Sequence, residues 1–269
     1  PDVTGECPMR TNPMKVNLAA GKVQIGSWVN MVRNPAILQL MQSAGMDFAR
    51  VDIEHSSPSM ETIGNFALLS RALGFPITVR PPEGNREWIT RLLDSGVWCL
   101  HIPQVDTPEI AEEVASASHY APDGLRGMAG FGPGTDYEHG PLGESQRFIN
   151  QQIHTTIMFE SQQAFDHLDE IMSVPGIDAV TLGPADLAQE LGVFATPDQA
   201  KVIDEYRTRL IDGAVKHGKQ VSMLVNSIEQ GEQWIKAGAK IICYSSEVDL
   251  LSRGMAEGAK ALHAADETS

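Results

Sequence analysis

Along this chain, short runs rich in Val and Ile alternate with longer stretches whose apolar positions recur at helical spacing. The first run covers residues 23–29. Asn34 as a cap and Pro35 at the first helical position then predict a helix that ends near Gly45. Residues 48–53 form the second run, followed by a helix over 60–73 that Gly74 stops. The later runs are 77–80, 99–102, 155–159, 179–182, 220–225 and 241–244. Around them the pattern predicts helices over 86–95, 108–118 and 162–172, a short one after Pro184, and then 197–217, one ending at Ala237, and 248–264.

Eight strand-then-helix units in about 250 residues predict an α/β chain folded as a single (β/α)8 TIM barrel. A doubly wound open sheet needs a reversal of strand order and usually fewer units. No linker, repeat or low-complexity stretch divides the chain, so residues 1–14 read as an N-terminal extension and 15–265 as one barrel domain. Residue 1 is Pro, and Met9 and Met14 are candidate native starts. The segment 124–143 is long and glycine-rich for a simple connection. It follows the fourth strand, so it is expected at the barrel mouth as a lid or binding loop.

Composition narrows the function. The 269 residues carry a net charge of −15, which disfavours nucleic acid and anionic membrane surfaces as partners. No apolar stretch reaches the roughly 18 residues of a membrane span, and no signal segment is evident, so a cytoplasmic location is expected. Cys7, Cys99 and Cys243 are too scattered for a disulfide framework or zinc site, and Cys99 and Cys243 read as buried thiols.

In such barrels chemistry sits at the C-terminal ends of the strands. Those ends carry Trp28, the trio Asp52, Glu54 and His55, then Arg80, Gln104, Glu160, the turn Gly183-Pro184-Ala185-Asp186, Asn226 and Ser245-Ser246. Glu160 and Asp186 end adjacent strands, and two carboxylates with open positions suit Mg2+ or Mn2+. The other reading makes them separate helix N-caps. Asp52 and Glu54 share a strand face, which leaves His55 free to turn inward; a carboxylate beside a His suits a general base. The alternative is a surface His with a salt-bridge neighbour. Arg80 either binds an anion at the mouth or pairs with an acid such as Glu54, and Arg126 carries the same two readings.

No dinucleotide fingerprint, Walker motif, HExxH, CxxC or GxSxG occurs. The other seven histidines lack ligand spacing, and Met158 and Met223 read as packing. No Lys stands at a strand end, so a Schiff base lacks its amine and a metal-dependent route to an enolate is favoured.

Seven motifs occur in order: IGSWV (25–29), VDIEHSSPS (51–59), TVRPP (78–82), LLDSG (92–96), GLRGMAG (124–130), MFES (158–161) and GPADLAQELG (183–192). With them the chain resembles the HpcH/HpaI aldolase family, metal-dependent class II pyruvate aldolases of aromatic and sugar-acid degradation, from about Lys15 to Leu262. The resemblance implies a barrel whose last helix is exchanged with a neighbour in a hexamer, a dimer of trimers. It implies a divalent ion (Mg2+, Mn2+ or Co2+) on Glu160 and Asp186, and His55 as a base held by Asp52. Arg80 would polarise the 2-oxo group, and Asp94 would reach a neighbouring subunit's site. Amides around Gly183, Pro184, Ala185 and Asp186 would hold the pyruvate carboxylate, with Trp28 lining the pocket. The implied reaction is reversible cleavage of a 4-hydroxy-2-oxo acid to pyruvate and an aldehyde, with oxaloacetate decarboxylation as a side reaction. Two positions depart from the family pattern: Ile53 replaces a Gly, and Met158 replaces a Gln that reaches the oxo acid. Two other classes remain: an acyl-CoA lyase of the citrate lyase or malyl-CoA lyase type, which the sparse Lys near the mouth disfavours, and a non-catalytic metal-binding barrel.

Overall fold

The structure, a computed structural model, describes residues 9–267. Eight parallel strands close in sequence order: β1 (Gln24–Val29), β2 (Phe48–Asp52), β3 (Ile77–Arg80), β4 (Cys99–Ile102), β5 (His154–Phe159), β6 (Ala179–Leu182), β7 (Gln220–Val225) and β8 (Ile241–Ser246). Strand alternation sorts the core. Val29, Val51, Val79, Leu100, Ile157, Val180 and Val225 belong to the large core that packs against the helices. Trp28, Phe48, Cys99, Ala179, Ile241 and Cys243 form a second, inner core with Met14, Leu18 and Trp98. Both thiols are free and buried, as expected.

The helices α2 (Ala36–Ser43), α3 (Met60–Leu73), α4 (Arg86–Asp94) and α5 (Pro108–Ser118) fall where the pattern places them. Local chemistry sets their ends. Ser59, Asn85 and Thr107 accept hydrogen bonds from the first-turn amides of α3, α4 and α5. Gly74 ends α3 at φ 62°, a left-handed conformation that glycine adopts without strain.

Four elements differ from expectation. A helix α1 (Pro13–Ala19) was not predicted; Asn12, fully buried, caps it and donates to the Gln152 carbonyl at 2.8 Å. The described part of the expected N-terminal extension therefore packs on the barrel floor, while residues 1–8, with Cys7, lie outside the described residues. The glycine-rich segment does not sit at the mouth. Helix α5 intervenes and returns the chain to the opposite end, where Asp136 accepts from Arg71 Nε at 2.7 Å. The segment's end enters a helix α6 (Leu142–Gln152), also not predicted, which leads into β5. The helix expected over 162–172 is broken at His167 into α7 (Gln162–Asp166) and α8 (Leu168–Ser173).

After β6 come α9 (Pro184–Glu190) and α10 (Gln199–Lys216), and after β7 comes α11 (Ile228–Lys236). The last helix, α12 (Glu247–Glu267), leaves the barrel. Leu251, Met255 and Leu262 on it are exposed, and so is Ile25 on β1. No helix among the described residues is long and apolar enough to cross a membrane.

Candidate active site

The mouth begins with a register match. Asp52 ends β2 and Arg80 ends β3, and the two are paired across the sheet. Arg80 donates from Nε to Asp52 Oδ1 at 2.9 Å and from Nη2 to Asp52 Oδ2 at 2.8 Å, a bidentate fork. Its Nε also lies 3.1 Å from Glu54 Oε2. The guanidinium sits 4.6 Å over the ring of Trp28, buried one residue before the end of β1. Asp52 Oδ1 also accepts the Glu54 amide at 3.0 Å, and the Ser56 hydroxyl donates to the Asp52 carbonyl. These bonds fix the turn as the chain leaves the strand.

That arrangement revises one expectation. Asp52 is committed to Arg80 and does not hold His55. The His55 ring faces solvent, its side chain 64% exposed, with Nε2 3.5 Å from Glu54 Oε2. Glu54 is thus the acid that both Arg80 and His55 meet. Burial pushes its carboxyl above the usual range, with Arg80 and His55 opposing and Asp52 and Asp186 adding.

Glu160 directly follows β5 and is buried. Its Oε1 accepts the Gln104 amide at 2.6 Å, at the end of β4, where Gln104 turns through φ 55°. Its Oε2 lies against Gly183, where a Cβ would come within 2.4 Å. Only glycine allows that approach, so the end of β6 is shaped around this carboxylate. Asp186 stands in the first turn of α9, exposed. Neither acid is an N-cap: Ser161 caps α7, and no side chain caps α9.

Burial pushes the Glu160 carboxyl up to about 7; the Gln104 amide opposes this, Asp186 and Glu54 add to the rise, and Arg80 opposes it. Three acids thus share one field with Arg80 as the opposing cation. Donor chemistry and charge both fit a hard divalent ion, which takes oxygen ligands and relieves carboxylate repulsion. Among the described residues no cluster of three or more His, Cys, Asp or Glu is placed to hold a metal, so the pair would supply two protein ligands.

The raised Glu160 carboxyl predicts a pH effect. The folded metal-free protein holds a proton between the usual carboxylate value of 4.5 and about 7, where the unfolded chain has lost it. The contribution of Glu160 to stability should therefore fall as pH rises through that window, by up to about 3 kcal/mol. Thermal melts of metal-free wild type and Glu160→Gln from pH 5 to 8 check this, because the buried neutral His101 and His154 contribute equally to both; an identical pH dependence of Tm in the two contradicts it.

Asp94, the last residue of α4, lies at the floor, because each barrel helix runs back against its strand. There its Oδ1 accepts from Arg126 Nη2 at 2.7 Å. Arg126, buried, lies 4.6 Å over the Tyr120 ring. Both residues are remote from the mouth of their own barrel. The structure thus gathers Trp28, Asp52, Glu54, Arg80, Glu160 and the 183–186 turn, with His55 at the rim. Sequence reasoning missed the Gln104 amide, which carries no side-chain signal. It also missed Arg50, which β-alternation with Phe48 and Asp52 places inside the barrel.

A closed barrel with acids, a forked arginine and a shaped glycine turn at its C-terminal mouth has the form of an enzyme site, and the relatives below place it among the carbon–carbon lyases. Comparison with known proteins agrees: the chain matches the model described as HpcH/HpaI aldolase/citrate lyase over residues 24–253 and belongs to that family. It is 31% identical over 255 residues to the hydroxypyruvate/pyruvate aldolase of Deinococcus radiodurans, covering 91% of this chain and 89% of that one. It is also 31% identical over 246 residues to the 2-keto-3-deoxy-L-rhamnonate aldolase of Shigella sonnei, covering 90% of each. The crystal structure of the HpcH/HpaI aldolase from Desulfitobacterium hafniense DCB-2 matches with a TM-score of 0.87 at 30% identity, covering 93% of this chain and 96% of that one.

Proposed function

We propose that the protein cleaves 4-hydroxy-2-oxo acids reversibly to pyruvate and an aldehyde, with a divalent ion (Mg2+, Mn2+ or Co2+) held by Glu160 and Asp186. The observation that carries this reading is the buried Glu160 carboxylate, wedged between the Gln104 amide and Gly183 and sharing its field with Asp186. When bound, such an ion supplies Lewis-acid polarisation of the oxo acid.

The chain's own residues do the rest. Nε and Nη2 of Arg80 are held by Asp52 and Glu54. That leaves the Nη1 edge to meet the 2-oxo oxygen, where negative charge develops as the bond between C3 and C4 breaks. His55, beside Glu54, accepts the proton of the 4-hydroxyl, and the C3–C4 electron pair passes into the enolate. Protonation at C3 then gives pyruvate. The amides of the Gly183–Asp186 turn hold the substrate carboxylate, and Trp28 walls the pocket. Oxaloacetate gives the same enolate by losing CO2, so decarboxylation is a side activity. Asp94, on the floor, serves a neighbouring subunit in a hexamer of two trimers joined by exchanged α12 helices.

A screen of 4-hydroxy-2-oxo acids of differing chain length, coupled to pyruvate detection, tests the reading. Activity on at least one is expected, lost on exhaustive chelation and restored by Mg2+ or Mn2+. Full activity after chelation would exclude the metal, and no cleavage of any member would exclude the reaction.

A further inference from the structure

We propose that Arg50 is a positioning residue of this site: a fixed positive charge inside the barrel, beneath Trp28, that favours an anionic 2-oxo acid at the mouth. The proposal rests on the 2-oxo acid reading above. Arg50 is 1% exposed, and its side chain crosses from β2 to β7, where Nη2 donates to Ser222 Oγ at 2.9 Å. Its Nε has no acceptor. The guanidinium lies 5.2 Å over Trp28 and 5.7 Å over Phe48. Trp28 is the same ring that carries Arg80, so the two guanidiniums share one indole.

Among the described residues, the titratable groups facing Arg50 are Cys243, Cys99, Arg80, His101 and His154, and no carboxylate is among them. Burial pushes the thiols of Cys99 and Cys243 up to about 12 and about 11, so both are neutral near pH 7. Burial, with Arg50 itself adding, holds His101 well below the usual imidazole range; burial likewise lowers His154, so both rings are neutral. Arg80 is already matched by Asp52 and Glu54. Arg50 therefore adds one positive charge without a facing carboxylate to a buried interior. A buried unpaired cation is strongly unfavourable, and an apolar residue would fill the same space without that penalty. A charge in a low-dielectric barrel acts over distance, and an anion entering the mouth is the group positioned to answer it.

The test compares pyruvate with pyruvamide, its uncharged counterpart, by calorimetric titration of the Mn2+-loaded protein. Arg50→Met is expected to weaken pyruvate binding about tenfold, the effect of one charge across about 10 Å at an effective dielectric of about 20. Pyruvamide should change less than about twofold, and Arg50→Lys should restore pyruvate. Should Arg50→Met fail to fold, Arg50→Gln, which can still bond Ser222, carries the same comparison. Equal weakening of both ligands would show a packing role and overturn the proposal, as would no change in either. A wild-type protein that binds Mn2+ but no pyruvate would instead overturn the 2-oxo acid reading beneath it.

Discussion

Glu160→Gln is expected to lower kcat/KM for aldol cleavage by about a thousandfold while leaving the fold intact. The substitution keeps the shape of the side chain and removes its charge. Its amide oxygen can still accept the Gln104 amide hydrogen, and the space beside Gly183 is unchanged in size. What disappears is the anionic oxygen able to bind a cation. The same change distinguishes loss of chemistry from loss of structure. A neutral side chain never has to ionise in its buried place, so metal-free Glu160→Gln should lose the part of the pH dependence of Tm between pH 5 and 8 that Glu160 contributes. A variant with wild-type kcat/KM would remove Glu160 from the mechanism.

Arg80→Ala should have an effect of similar size, about a thousandfold in kcat, for a different reason. Arg80 answers both Asp52 and Glu54, at 2.8 Å and 3.1 Å. Its loss removes the donor for the developing enolate oxygen and leaves two acids facing each other. Arg80→Lys keeps the charge but not the fork, since an ammonium cannot span Asp52 bidentately while presenting a free edge to substrate. It should recover about tenfold of the loss. Wild-type kcat in Arg80→Ala would make the residue purely structural.

Most of the architecture was legible because strand and helix periods differ and their alternation repeats eight times. The strand-end rule then collected Asp52, Arg80, Glu160 and the 183–186 turn from distant parts of the chain. What was not legible has physical reasons. Reading residues 124–143 as a mouth loop overlooked that a helix reverses the chain, so a segment after α5 belongs to the floor. The partner of His55 could not be read from spacing, since Asp52 and Glu54 both flank it; the choice was made by Arg80, whose register opposite Asp52 consumed that carboxylate. The helix α1 is short, and its cap Asn12 is satisfied by Gln152, a residue 140 positions away. Arg50 lay in plain view in FARVD, yet a charged residue inside a barrel runs against the expectation that interiors are apolar.

The central claim is that Glu160 and Asp186 together grip one divalent ion. Titration of the metal-stripped protein with Mn2+, followed by the loss of the free-ion electron paramagnetic resonance signal, tests it most directly. One ion per chain is expected for the wild type, weakening sharply below pH 7 as Glu160 takes up its proton. Glu160→Gln and Asp186→Asn should each abolish that binding. Unchanged Mn2+ binding by both variants would contradict the account.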